Sequence, residues 1–220
     1  MTGSTPDALR VGYVPGVIVS KWERVWAERF PERPLALVAV PQADQETAIH
    51  ESRVDMCFVR LPIDRAKTHA IPLYEERPVA VIPTDHPISL YEEITLADLA
   101  DERLQDATDL DALADTVALV AAVGGAAVMP QSLARLHHRR DLTYRPLTDA
   151  EPTAIALAWL IDNPNEAIED FIGVVRGRTA RSSRAPRTEP VAPQRNNKRP
   201  EAARKKQPAG RPRTAKRRGR

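Results

Sequence analysis

Arg60 is the side chain best suited to hold a small anion. It ends the apolar run MCFV (residues 56–59), which reads as a buried strand, and ligands of open α/β sheets sit beyond the carboxyl ends of strands. A guanidinium grips a carboxylate through two parallel hydrogen bonds. Another predicted strand, LRVGYV (residues 9–14), delivers Pro15 and Gly16 to the same edge, and the next helix opens near Ser20. The free N–H groups and partial positive charge of a helix start favour a carboxylate. Thr84, within PTDHP (residues 83–87), adds a hydroxyl donor. Each of these has a plainer reading. Arg60 could be a surface arginine paired with Asp64 or another acid, and Ser20 an N-cap. The PTDHP segment reads as a hinge turn between lobes, set by Pro and Asp. Gly124 and Gly125 could admit a ligand close to the backbone, but more simply end a helix, where glycine adopts positive φ at little cost.

No catalytic or metal constellation accompanies these residues. Cys57 is the only cysteine and lies mid-strand, as a small core residue would. His137 and His138 are adjacent, so on a helix they point about 100° apart, and they read as part of a solvated basic face with Arg139 and Arg140. There is no Gly-x-Ser-x-Gly, phosphate-binding loop or dinucleotide glycine pattern. The expectation is a non-enzymatic protein with no metal and no cofactor.

The charge distribution points to a second kind of partner. The 220 residues carry a net +2, but residues 177–220 hold 16 Lys/Arg against Glu189 and Glu201, a net +14, which leaves −12 on residues 1–176. The basic segment has six prolines, no aromatic residue and only Val191 as a large aliphatic, too little apolar surface to offset the entropy of ordering. It reads as a disordered, Lys/Arg/Pro-rich tail that binds DNA. The candidate contacts are Arg204, Lys205 and Lys206, then Gly210, Arg211, Pro212 and Arg213, then Lys216, Arg217, Arg218 and Arg220. The GRPR core (residues 210–213) resembles an AT-hook, whose slim backbone carries arginine into a narrow minor groove. Ala209 stands where an arginine is usual, and a sequence-independent electrostatic contact remains the simpler reading. The longest apolar run, residues 117–129, has 13 residues and two glycines, against roughly 20 for a bilayer span. The chain therefore reads as cytoplasmic, with no membrane contact and an association with the nucleoid through its tail.

The elements that position these residues alternate. Strands are predicted at residues 9–14, 35–40 and 56–59, with helices at 20–30 and 43–52 between them, the signature of a parallel α/β sheet. Trp22 and Trp26 share one helical face and read as core or dimer seam. Further strands are expected near 71–74, 78–82, 126–129, 142–146 and 155–160. Helices are expected at 111–123, 131–138 and 166–175, the last capped by Asn163 or Asn165.

The order of these pieces over residues 8–176 resembles the substrate-binding domain of LysR-type transcriptional regulators, a variant of the type-2 periplasmic-binding-protein fold. The phrases that carry the resemblance are LRVGYV (9–14), RVDMCFVRLP (53–62), IPLYEERPVAVIP (71–83), DHP (85–87), TLADLA (95–100) and LVAAVGGAAVMP (119–130). The resemblance implies a two-lobed α/β domain, with lobe I at about residues 8–82 plus 153–176 and lobe II at about 83–152. It also implies an effector contact for Arg60, a small carboxylate effector, and a side-by-side homodimer built on the first helix. Two departures are expected. The domain starts at residue 8, without the family's N-terminal helix-turn-helix. Residues 103–115 are too few for the strand, helix and strand that the family places there, so lobe II is expected to be reduced. The function implied is effector sensing in transcriptional regulation, with DNA contacted by the tail. The alternative is a small-molecule-binding or protein-interaction module whose tail anchors it to nucleic acid without specificity.

Overall fold

Strict alternation of apolar side chains builds a sheet covered on both faces. The computed structural model describes residues 8–177. In β3 (Met56–Arg60), Met56 and Phe58 face one core while Cys57 and Val59 face another. In β8 (Thr153–Leu160), Ile155 and Leu157 join the first core, and Ala156 and Ala158 the second. With β1 (Leu9–Tyr13), β2 (Leu35–Ala39) and β4 (Thr68–Glu76) these strands form a five-stranded sheet in the order β2-β1-β3-β8-β4. The β1 strand is parallel to β2 and β3, while β8 runs antiparallel to β3 and β4. The predicted parallel start is present, and the returning strand reverses direction.

Helix α1 (Ser20–Arg29) covers one face. Trp22 stacks on Phe58 with ring centroids 4.5 Å apart, and the Trp26 indole N–H donates to the Arg33 carbonyl at 2.8 Å. Both tryptophans are core residues, as their spacing predicted. Helix α5 (Ala167–Val175) packs Phe171 against Trp26 and Phe58. The N-cap position is Glu166, with no side-chain cap, so neither Asn163 nor Asn165 caps the helix; they form two successive turns before it, the Asn165 side chain accepting from the Ala167 amide and that of Asn163 from the Asn165 amide. On the opposite face, α2 (Gln45–His50) follows a 3₁₀ turn at Gln42–Asp44 and buries Ala48 and Ile49.

The second sheet is smaller. Strand β5 (Pro78–Pro83) lies between β6 (Ala127–Pro130) and β7 (Leu142–Pro146), antiparallel to both. Helices α3 (Leu113–Val123) and α4 (Gln131–Leu136) lie in this half, and 3₁₀ turns at Pro87–Leu90 and Leu96–Leu99 pack near it. Between β5 and α3, the chain adds only two isolated parallel bridges, Ile94 to Leu147 and Leu104 to Ala126. Gly124 ends α3 at φ +77°, as expected of a helix terminus. Gly125, at φ +85°, passes so close to Arg103 that a Cβ there would lie 2.1 Å from the Arg103 carbonyl oxygen. The close approach is to the protein's own backbone.

Three expectations are corrected. Residues 78–82 were assigned to lobe I, but β5 pairs only within the second sheet, so the crossing between sheets falls at Arg77. The PTDHP segment consequently is no hinge between lobes. It is a turn inside the second half, where the Thr84 amide donates to the Asp141 carbonyl and His86 Nδ1 accepts from Ile88. Ser20 is likewise the first helical residue and not an N-cap: Val19 occupies that position, and no side chain caps the helix.

Candidate functional site

A cleft of about 770 Å³ opens between the two sheets. One wall comes from the first sheet: the loop after β1, with Pro15, Gly16, Val17 and Ile18, and the end of β2 at Val40 and Pro41. The other wall is α4, through Ser132, Arg135 and Leu136, with Asp111 alongside. The loop can approach α4 closely because Gly16 has no side chain. Its φ is +88°, and a Cβ would sit 2.5 Å from the Ser132 hydroxyl oxygen. The lining is largely apolar, and Ile18 and Leu136 stand 76% and 55% exposed. Exposed aliphatics at a concave surface favour a ligand with an apolar body.

Of the residues singled out from sequence, Pro15 and Gly16 line the cleft, whereas Ser20, Arg60 and Thr84 do not. Arg60 stands behind the wall. Its side chain and that of Glu76 are each only 3% exposed, and the two are paired at 2.7 Å. The Arg60 guanidinium donates from Nε and Nη2 to Glu76, from Nη1 to the Gln42 side chain at 2.7 Å, and from Nη2 to the Pro15 carbonyl at 3.1 Å. Arg60 is thus paired with an acid, as the plainer reading expected, but that acid is Glu76 and not Asp64, and the pair is buried and not at the surface. Glu76 also accepts from Thr153 at 3.1 Å and from Ser132. Through Ser132 this carboxylate joins the first sheet to α4. A buried pair of this kind stands only because hydrogen bonds meet its remaining donors and acceptors.

Asp111 makes a second bridge between the halves. Its carboxylate accepts the backbone N–H of Gln42 at 2.7 Å and of Ala43 at 2.9 Å. The chain thus places its own carboxylate on the free amides that open the 3₁₀ turn. Sequence reasoning missed Glu76, Asp111 and Arg135, which look like ordinary solvated charges.

Other candidates resolve as structure. Cys57 is buried, and burial pushes its thiol up to about 12, so it is an inert core residue. No cluster of three or more metal-ligating side chains forms among the described residues, His137 and His138 included. No helix among them is long and apolar enough to cross a membrane. The proposed DNA contacts, Arg204 to Arg220, lie outside the described residues.

Comparisons with known proteins agree with this fold. Residues 3–109 match the family described as the LysR substrate binding domain. The Hca operon transcriptional activator HcaR of Escherichia coli (strain K12) is 25% identical over 205 residues, covering 78% of this chain and 68% of that protein. The HTH-type transcriptional regulator CatR of Pseudomonas putida is 28% identical over 170 residues, covering 64% and 58%. The chain thus spans about two thirds or less of the curated relatives it matches. Among solved structures, the BenM effector binding domain with its effector benzoate superposes with a TM-score of 0.65 at 20% identity, covering 79% of this chain and 92% of that one. An OxyR regulatory domain from Pseudomonas aeruginosa gives 0.62 at 22% identity, covering 77% and 96%. These structural likenesses are of fold.

Proposed function

We propose that this protein is a LysR-type effector domain that senses a small organic anion in the cleft between its two sheets and contacts DNA through its basic tail, a reading supported by the family match over residues 3–109 and by relatives described as transcriptional regulators. The observation that carries the reading is the cleft itself: about 770 Å³, largely apolar, and bounded by parts of both sheets' halves. A ligand there touches Pro15 and Gly16 on one side and α4 on the other, so binding couples to the relative placement of the halves. Arg60 acts in this reading through Pro15, whose carbonyl it holds, and not by touching the ligand. The side-by-side dimer belongs to the same proposal. The basic tail supplies DNA contact by counterion release.

A thermal-shift screen of the full chain against benzoate, hexanoate, salicylate and succinate tests the ligand half of the proposal. A binder raises the unfolding midpoint in proportion to RT ln(1 + [L]/Kd). The reading expects a concentration-dependent rise with at least one acid that has an apolar body. No rise with any of them at millimolar concentration contradicts it.

A further inference from the structure

Among the described residues, one cation, Arg135, lines the cleft, and the other anion-binding groups near it are already taken. The Arg60 guanidinium is spent on Glu76, Gln42 and Pro15. The Gln42 and Ala43 amides are covered by Asp111, whose negative charge also repels a second carboxylate. Arg135 is different. It lines the cleft on α4 and forms no ion pair among the described residues. Its Nε donates to the Tyr144 hydroxyl at 3.1 Å, which steadies the guanidinium and leaves its two Nη groups available. That pair forms the end-on fork that grips a carboxylate. The apolar surface of Val17, Ile18 and Leu136 lies in the same cleft.

We infer that Arg135 is the residue that selects the ligand's charge, so that the cleft takes a monocarboxylic acid with an apolar body, its carboxylate on Arg135 and its body against Ile18 and Leu136. The inference rests on the reading that this cleft is the effector site. A dicarboxylate is disfavoured, because its second charge would meet Asp111 or the apolar wall with no cation to receive it. Tyr144 is a positioning residue that acts through Arg135.

Calorimetric titration of the full chain with benzoate and hexanoate, and with the neutral benzamide and hexanamide, tests this. In the parent protein each acid should bind at least tenfold more tightly than its amide. Arg135→Gln should weaken the acids about tenfold and leave the amides within twofold, which removes the preference. Arg140→Gln, a nearby exposed arginine that does not line the cleft, should change neither. Ile18→Asn, a neutral polar change, should weaken acid and amide alike. If Arg135→Gln keeps the acid preference, or Arg140→Gln removes it equally, the assignment of Arg135 is overturned while the cleft reading stands. If the acids bind but Ile18→Asn leaves them untouched, or if none of the four probes binds the parent protein, the cleft reading itself fails.

Discussion

Arg60 and Glu76 show how a residue chosen for ligand chemistry can serve the wall of a site instead. Removing one member of a buried, hydrogen-bonded pair leaves the other uncompensated, which costs about 3–5 kcal/mol. Arg60→Ala and Glu76→Ala should therefore each lower the urea midpoint of the ligand-free protein substantially. A midpoint unchanged in either variant would contradict the buried pair. Cys57 gives a second check. Its folded pKa of about 12 lies above its ordinary 9.0, so a thiol-reactive disulfide reagent should label it only after unfolding. Because the folded value is raised, the contribution is fully present below pH 9 and declines as pH rises from there toward 12. Rapid labelling of the native protein at pH 8 would contradict this burial. At this scale, residues set by local pattern were legible: Trp22 and Trp26 by helical spacing, Cys57 by its place in an apolar strand, Gly124 by its position after a helix. Glu76 and Asp111 were not, because their meaning lies in partners distant in sequence. For Glu76 there is a further cause, since a register shift between Pro72 and Tyr74 resets the alternation of β4 just before it.

Among the elements, buried strands such as β3 and β8 could be read from continuous apolar runs. Which sheet a run joins could not. Residues 78–82 are apolar throughout, and both halves offer two-sided burial, so the run is compatible with either; the antiparallel pairing with β6 and β7 decides it. The shortness of residues 103–115 was legible as a length argument, and the chain there contributes only the Leu104–Ala126 bridge. The neighbouring glycines make a paired prediction. Gly124 has open space around it at φ +77°, whereas Gly125 would drive a Cβ into the Arg103 carbonyl at φ +85°. Left-handed backbone costs a non-glycine residue about 1–3 kcal/mol. Gly124→Ala should fall within that range by chemical denaturation, and Gly125→Ala should exceed it. Equal costs would show that the 103–105 segment does not pack against the end of α3 as described.

For the whole molecule, the charge split organises the proposal. An acidic −12 body and a +14 basic segment divide near residue 177. Binding to duplex DNA through the tail should weaken steeply with salt, with a logarithmic slope of roughly −0.9 per phosphate neutralised. A gel-shift titration should show this slope for the full chain and no binding for a chain ending at Gly177. Equal binding by both would place the DNA contact elsewhere.

The central claim is that a small organic acid enters the cleft between the two sheets. Amide hydrogen exchange of the full chain, with and without saturating benzoate, reads this most directly. The account predicts added protection at residues 16–19 and 131–136, on the two facing walls of one cleft. Protection confined to residues 65–71 and 163–169, around another surface hollow of the first half, or no change at any segment, would contradict it.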